Sequence, residues 1–202
     1  MSAGPRRDEG ARARWNRRWA ERGPGPSTPA PAEWLVENSS LLRGGDGRRA
    51  LDVACGDGRN AMYLASLGFE VHAVDVSDVA IEAVATIAAD RRLPVRAERL
   101  DLERDGLPAG CYEVVVQINY LQRDLLAALA RAQSDGGILV IETFMRAPGG
   151  VGERPLNPHH LLRPGELVAA FADLDVVSHR EGLAERSGRP VAVAGLVARR
   201  AP

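Results

Sequence analysis

Lysine is absent from this chain, and all 26 of its basic residues are arginine. A phosphate loop of the GxxxxGK[ST] kind needs a lysine to reach the nucleotide phosphates, so "GGVGER" is no such loop and kinase or ATPase readings fall away. Cysteine is nearly as scarce. Cys55 and Cys111 stand in separate apolar contexts without a CxxC partner, which predicts two buried free thiols in a reducing compartment. The four histidines form no HExxH pattern, so no metal site is expected. No apolar run approaches the roughly 18 residues of a membrane span. A hydrophobic share of 45% and a charged share of 26% describe a soluble globular chain. The net charge of −1 supplies no overall field, so neither a nucleic acid nor a membrane is expected as partner.

What is present begins with an arginine- and proline-rich start. Seven arginines fall in the first 31 residues, with Pro24, Pro26, Pro29 and Pro31, and nothing resembles the apolar core of a secretory signal. Asp8, Glu9 and Glu21 weigh against an import sequence, which leaves a cytoplasmic location as the expectation. The stretch 8–22 predicts a helix that puts Trp15 and Trp19, four apart, on one face, docked on the rest of the chain and covering a ligand. "GPGPSTPAP" is a connector and "PAEWLVENSSLL" a second helix. The expected organisation is a covering segment, 1–33, and a single domain, 34–202, a size that buries a proper core.

From residue 48 strands and helices alternate. "RRALDVAC" reads as a strand, "RNAMYLASLG" as a helix ended by Gly68, "EVHAVDV" as a strand, and "SDVAIEAVATIAADRR" as a helix opening on the N-cap Ser77. "VRAERLDL" and "YEVVVQIN" are further strands. A helix, "RDLLAALARAQ", then a strand, "GGILVIETF", complete the run. Alternation of this kind predicts an α/β fold, a Rossmann-like doubly wound, mostly parallel sheet. After a helix near "PGELVAAFA" come two strands, "LDVVSHREGLAE" and "RPVAVAGLVARR", with no room for a helix between them. They predict a C-terminal antiparallel hairpin on the sheet's edge and a total of about seven strands. The loop "RAPGGVGERPLNP", 146–158, emerges at the carboxyl edge, where open α/β sheets bind ligands, and reads as a lid or substrate loop or as plain surface.

Gly56, Gly58 and Ala61 satisfy the loose dinucleotide pattern GxGxxA after a strand and before a helix, which points to a nucleoside cofactor without choosing one. Charge discriminates further. A pyrophosphate wants N–H groups free of competing anions, yet Asp57 lies between the glycines and Asp52 just upstream. Those acids suit a cationic, phosphate-free cofactor. Asp75, ending the second strand, is placed for ribose hydroxyls, and Asp101, with Leu100 and Leu102, for an adenine edge, a helix or turn cap being its plainer reading.

Together "LDVACGDGRN", "VHAVDVS", "RLDLE", "YEVVVQINYLQRDLL" and "GGILVIETF" resemble the ordered motifs of class I S-adenosylmethionine-dependent methyltransferases, over about residues 34–200. They are most similar to small bacterial enzymes of the tellurite-resistance and thiopurine type. The resemblance implies S-adenosylmethionine as cofactor and does not specify the methyl acceptor, for which a small molecule is the expectation. It carries the cofactor loop onto Asp52, Ala54, Cys55, Gly56 and Gly58, with Arg59 and Asn60 beside the methionine moiety. Asp75 and Val76 then take the ribose and adenine, Asp101 and Leu102 the adenine edge, and Gln117 and Ile118, with Asn119 and Tyr120, the neighbourhood of the transferable methyl. "QINY" lacks the two prolines of the NPPY-like motif of nucleic-acid amino methyltransferases. His159, His160 and Tyr120 are the candidate catalytic groups. Trp15, Trp19, Asn119, Tyr120, Glu142 and Arg146 are the candidate acceptor contacts, Glu142 needing a buried partner because it interrupts an apolar strand. Two other readings stay open: a non-catalytic sensor of S-adenosylmethionine or S-adenosylhomocysteine, and an NAD-dependent oxidoreductase.

Overall fold

A computed structural model describes residues 10–22, 30–42, 47–152, 157–186 and 188–202. Seven strands form one sheet in the order β3-β2-β1-β4-β5-β7-β6. They are β1 (Arg49–Val53), β2 (Glu70–Asp75), β3 (Val95–Arg99), β4 (Tyr112–Ile118), β5 (Gln133–Phe144), β6 (Asp175–Arg186) and β7 (Arg189–Arg199). The first five run parallel, while β7 pairs antiparallel with both β5 and β6. The expected edge hairpin is present, with β7 inserted against β5 and β6 left outermost. Because successive strands step one way from β1 to β3 and the other way from β4 to β5, the order reverses between β1 and β4. A crevice opens there at the carboxyl ends, the place where such sheets take ligands.

Side chains that alternate along each strand build two cores. On one face Ala50, Val114, Val116 and Val140 meet α2 (Glu33–Glu37), α3 (Arg59–Ser66) and α4 (Asp78–Arg91) through Leu35, Leu64 and Val84. On the other, Leu51, Val115, Leu139 and Leu196 meet α5 (Leu102–Asp105), α6 (Leu126–Arg131) and α7 (Glu166–Ala170) through Leu102, Leu129 and Leu167. Burial on both faces explains why the central strands read as continuous apolar runs. Outside these layers lies α1 (Ala11–Arg22), none of whose residues is buried. Among the described residues no helix is long and apolar enough to cross a membrane.

Several boundaries differ from the sequence reading, each for a local reason. The third strand stops at Arg99, because Asp101 Oδ1 accepts from the Glu103 backbone N–H at 3.1 Å and starts α5 instead. "PAEWLVENSSLL" is not one helix: α2 ends where Asn38 Nδ2 donates to the Trp34 carbonyl at 2.8 Å, and a 3-10 turn, Ser39–Leu41, follows. The sixth helix gives up its first residues to another 3-10 turn, Arg123–Leu125, and its last ones to β5, which starts at Gln133. The seventh helix is a five-residue turn rather than the full "PGELVAAFA". Cys55 is buried as expected, but Cys111 is exposed, because it lies just ahead of β4, which starts at Tyr112 as read from the sequence; both thiols are free. The first residues of the expected N-terminal helix, most of the connector and 153–156 of the carboxyl-edge loop lie outside the described residues.

A row of paired residues near the carboxyl ends shows how the hairpin is fastened. Ile118 faces Glu142, Glu142 faces Gly195, and Gly195 faces Arg180 in register. With no side chain on Gly195, the Trp34 indole lies against it and Arg180 reaches over it to Glu142. A Cβ at Gly195 would stand 2.8 Å from Trp34 Cε2. Gly195→Ala should therefore displace the indole and cost about 1–3 kcal/mol of unfolding free energy, read from a denaturant midpoint. A midpoint equal to the parent's would mean that the indole yields freely.

Candidate active site

The glycine loop leaves β1 in a conformation that its residue types can just sustain. Ala54, Gly56 and Gly58 have φ of 55°, 54° and 72°, and the turn closes through Cys55 N–H to the Val74 carbonyl at 2.9 Å and Gly58 N–H to the Cys55 carbonyl at 3.0 Å. Both glycines are also required by packing. A Cβ on Gly58 would lie 2.6 Å from Val84 Cγ2, and one on Gly56 would lie 2.7 Å from Trp19 Cζ2. The spacing GxG thus records two close approaches, one to α4 and one to α1.

Two carboxylates frame this loop. Asp75 Oδ2 accepts from Gly56 N–H at 3.0 Å and Oδ1 from Ser77 N–H at 2.9 Å, which ties the turn after β1 to the turn after β2. Burial raises its carboxyl above the usual range, and the N–H groups of Ser77, Gly56 and Val76 work against that. A carboxylate has about four acceptor directions, and with three N–H groups on it about one remains for a ligand. Val76 beside it is half-buried. Asp52 is buried in the strand itself, and its Oδ2 has no hydrogen-bond partner among the described residues. Its carboxyl is pushed up to about 7, first by burial and then by the negative charges of Asp57 and Asp75, against the Ala61 N–H and Arg59. The same burial and acids push the Cys55 thiol well up, so it stays protonated and is no nucleophile.

Not every residue read from the sequence is free for a ligand. Asn60 Oδ1 accepts from Ala32 N–H at 2.9 Å and so fixes the chain entering α2. Asp101 is a half-buried helix cap, and Leu102 is buried in the second core. Gln117 is buried, with Nε2 donating to the Tyr120 carbonyl at 3.1 Å and Oε1 unpartnered among the described residues. Ile118 is buried, and Asn119, at φ 60°, is exposed with its N–H on the Glu142 carbonyl at 2.8 Å. Tyr120 donates to Gln122 Oε1 at 2.6 Å, and burial raises its phenol well above the ordinary value, so it keeps its proton.

The carboxyl-edge candidates scatter. His159 and His160 are exposed on a 3-10 turn that Asn157 Oδ1 caps at 3.0 Å. Arg146 is exposed. Trp15 and Trp19 do share a face of α1, but Trp19 lies on the glycine loop. Glu142 has found the partner that its burial demanded, and has two: Arg180 Nε donates to Oε2 at 3.1 Å, its Nη2 does so too, and Arg186 Nη2 donates to Oε1. Arg180 also donates to Glu37 Oε2 at 3.2 Å and lies over the Trp34 ring, 4.5 Å from its centroid. These arginines escaped the sequence reading, since only the carboxylate's need for a partner was visible. Arg123 escaped it as well: it holds Glu166 Oε1 at 2.5 Å and the carbonyls of His159 and Leu161 at 2.5 and 2.9 Å, and so pins the return of the carboxyl-edge loop. Among the described residues no three His, Cys, Asp or Glu side chains are grouped to hold a metal.

Comparison with known proteins agrees with this architecture. A family model described as "Methyltransferase domain" matches residues 50–137. Hemagglutinin 1 of Eikenella corrodens is 28% identical over 155 residues, 71% of this chain and 51% of that protein. The ubiquinone biosynthesis O-methyltransferase of Caulobacter sp. (strain K31) is 30% identical over 128 residues, 58% of this chain and 49% of the relative. The chain thus spans about half the length of these curated relatives. Among solved structures, TehB from Haemophilus influenzae superposes with a TM-score of 0.75 at 19% identity, over 92% of this chain and 67% of TehB. Residues 50–137 thus resemble the methyltransferase-domain family, and the seven-stranded sheet has the fold of TehB.

Proposed function

We propose that the chain binds S-adenosylmethionine at the glycine loop and transfers its methyl group to a small-molecule acceptor. The observation that carries this reading is the pairing of the glycine loop with two buried acids. Asp52 keeps an unpartnered oxygen beneath that loop and Asp75 keeps an open acceptor direction beside it. A pyrophosphate would meet carboxylates there, whereas an α-ammonium and a ribose would meet acceptors. When bound, the cofactor supplies a sulfonium-borne methyl group open to in-line displacement, for which alignment of the acceptor contributes most of the acceleration. Asp52 holds the ammonium, Asp75 the ribose hydroxyls, and the Ile118–Tyr120 turn bounds the acceptor. Tyr120 keeps its proton and donates it to Gln122 Oε1, so toward an acceptor it offers only an oxygen that accepts and is no base. The relative named as a ubiquinone O-methyltransferase and the absence of NPPY at "QINY" both favour a small acceptor. Free thiols at Cys55 and Cys111 fit a cytoplasmic, reducing setting.

The test is a screen of metabolites, peptides and RNA supplied with S-adenosylmethionine, read by mass spectrometry for the gain of one methylene unit. Methylated metabolites support the reading, and S-adenosylhomocysteine binding without any product would replace it with a sensor. Tight NADH binding without a response to S-adenosylhomocysteine would replace it with an oxidoreductase.

Asp52 gives a second check. With its carboxyl at about 7 in the free protein, a cationic ligand group that favours the ionised form must expel a proton below that pH. Affinity for S-adenosylhomocysteine should therefore rise from pH 5.5 to 7, by up to about tenfold per unit, and level off above. Calorimetry in two buffers should record close to one proton released at pH 6 and almost none at pH 8, with Asp52→Asn abolishing the difference. The unliganded protein should lose stability over the same range, because the native carboxyl keeps its proton between about pH 4 and 7 while the unfolded chain's does not. Affinity independent of pH, with no proton released, would remove Asp52 from the ammonium.

A further inference from the structure

The helix α1 touches the same two turns that frame the glycine loop, through a set of polar groups and the Trp19 ring. Asp78, the first residue of α4, accepts from Arg12 Nε at 2.7 Å, Arg12 Nη2 at 3.1 Å and Asn16 Nδ2 at 2.9 Å, with Arg99 Nε 3.6 Å away. Asn16 Oδ1 accepts from Ser77 Oγ at 2.7 Å. Ser77 N–H and Gly56 N–H both bond Asp75, and Gly56 lies beneath Trp19. The chain of contacts therefore closes on itself, from α1 through Asn16, Ser77, Asp75 and Gly56 back to α1 at Trp19. Arg22, at the far end of the helix, stands 3.6 Å from Asp57 between the glycines.

No residue of the helix is fully buried, its tryptophans being half-covered, and its ion pairs lie at the solvent edge, where salt screens them. We propose that α1 is a cover over the cofactor loop, latched by Asp78, and that this latch governs how fast a ligand leaves the loop. The proposal rests on the cofactor reading above. Asp78 points away from the loop, toward α1, so its part is that of a positioning residue. Arg12 and Asn16 act through it, and Trp19 is the surface that the latch presses onto Gly56. A ligand on Asp75 steadies the Gly56 and Ser77 turns on which α1 rests, so occupancy and closure reinforce one another.

The experiment uses the full chain and S-adenosylhomocysteine as probe, with dissociation followed by stopped-flow tryptophan fluorescence. Arg12→Ala with Asn16→Ala should raise the dissociation rate about tenfold while the association rate changes less than threefold. Arg12→Lys alone should stay near the parent, and added salt should speed release from the parent but hardly from Asp78→Asn. Arg12 is exposed and Asn16 half-buried, so thermal midpoints are measured alongside to show that the fold is kept, and Asp78→Asn tests the latch from the other side. A dissociation rate within twofold of the parent in the double variant would overturn the proposal. Amide exchange of 11–22 in the ligand-free protein separates the two readings. If the parent binds no S-adenosylhomocysteine, the cofactor reading falls, while faster exchange in the double variant still supports the latch and equal exchange overturns it.

Discussion

Asp75→Ala should lower the affinity for S-adenosylhomocysteine by about 100-fold or more in a protein that still folds. Three losses add together. The ribose loses its acceptor, and the buried N–H groups of Gly56 and Ser77 lose the two oxygens that now satisfy them at 3.0 and 2.9 Å. With them goes the connection between the turns after β1 and β2, on which the left-handed conformations of Ala54, Gly56 and Gly58 depend. Asp75→Asn separates these effects: its oxygen can still accept from one N–H, but its amide would point a donor at the other. It should therefore weaken binding nearly as much as alanine does, unlike an isosteric swap at a site where only bulk matters. Titration calorimetry reads both variants. Unchanged affinity in a variant with native circular dichroism would take Asp75 out of the site.

The second large effect is expected at Glu142, a residue that sequence reasoning offered as an acceptor contact. Glu142→Ala leaves Arg180 and Arg186 facing one another across an empty space in the sheet's edge, with side chains only 27% and 24% exposed. Removing one member of a buried ion network costs about 3–5 kcal/mol, and the partial exposure of the arginines puts this case near the lower end. At this chain length that is a fall in thermal midpoint of roughly 6–12 °C. The compensated triple variant Glu142→Met, Arg180→Leu, Arg186→Met should recover most of it, because the charges that needed Glu142 are gone with it. Calorimetric unfolding of the single and triple variants decides between roles. A single variant of parental stability would show that the carboxylate is not holding the hairpin. Recovery of stability in the triple variant without recovery of turnover would put the network on the acceptor.

The two arginines also explain why this part of the site was not legible beforehand. Glu142 announces a need, since a charge inside "ILVIETF" must be paired, but nothing local names the partner. Arg180 and Arg186 lie about forty residues on, on a strand that reaches Glu142 only because β7 is inserted between them and carries a glycine at the crossing point. Asp101 shows the opposite failure. Its position after a strand suits an adenine contact and a helix cap equally, and the backbone N–H of Glu103 takes it as a cap. Trp15 and Trp19 were readable as one face, yet what that face meets depends on how a helix with no fully buried residue settles on α4 and the loop.

The sequence by itself determined the alternation of strands and helices, the parallel sheet with its terminal hairpin, and the glycine loop flanked by Asp52 and Asp75. These rest on periodicity and short-range spacing, which neighbouring residues impose on one another. Only the tertiary structure decided that Glu142 belongs to two arginines, that Asn60 and Asp101 spend acceptors on the backbone, and that Trp19 covers Gly56. Those contacts join residues far apart along the chain, and long-range partnership is fixed by packing and register once the sheet has closed.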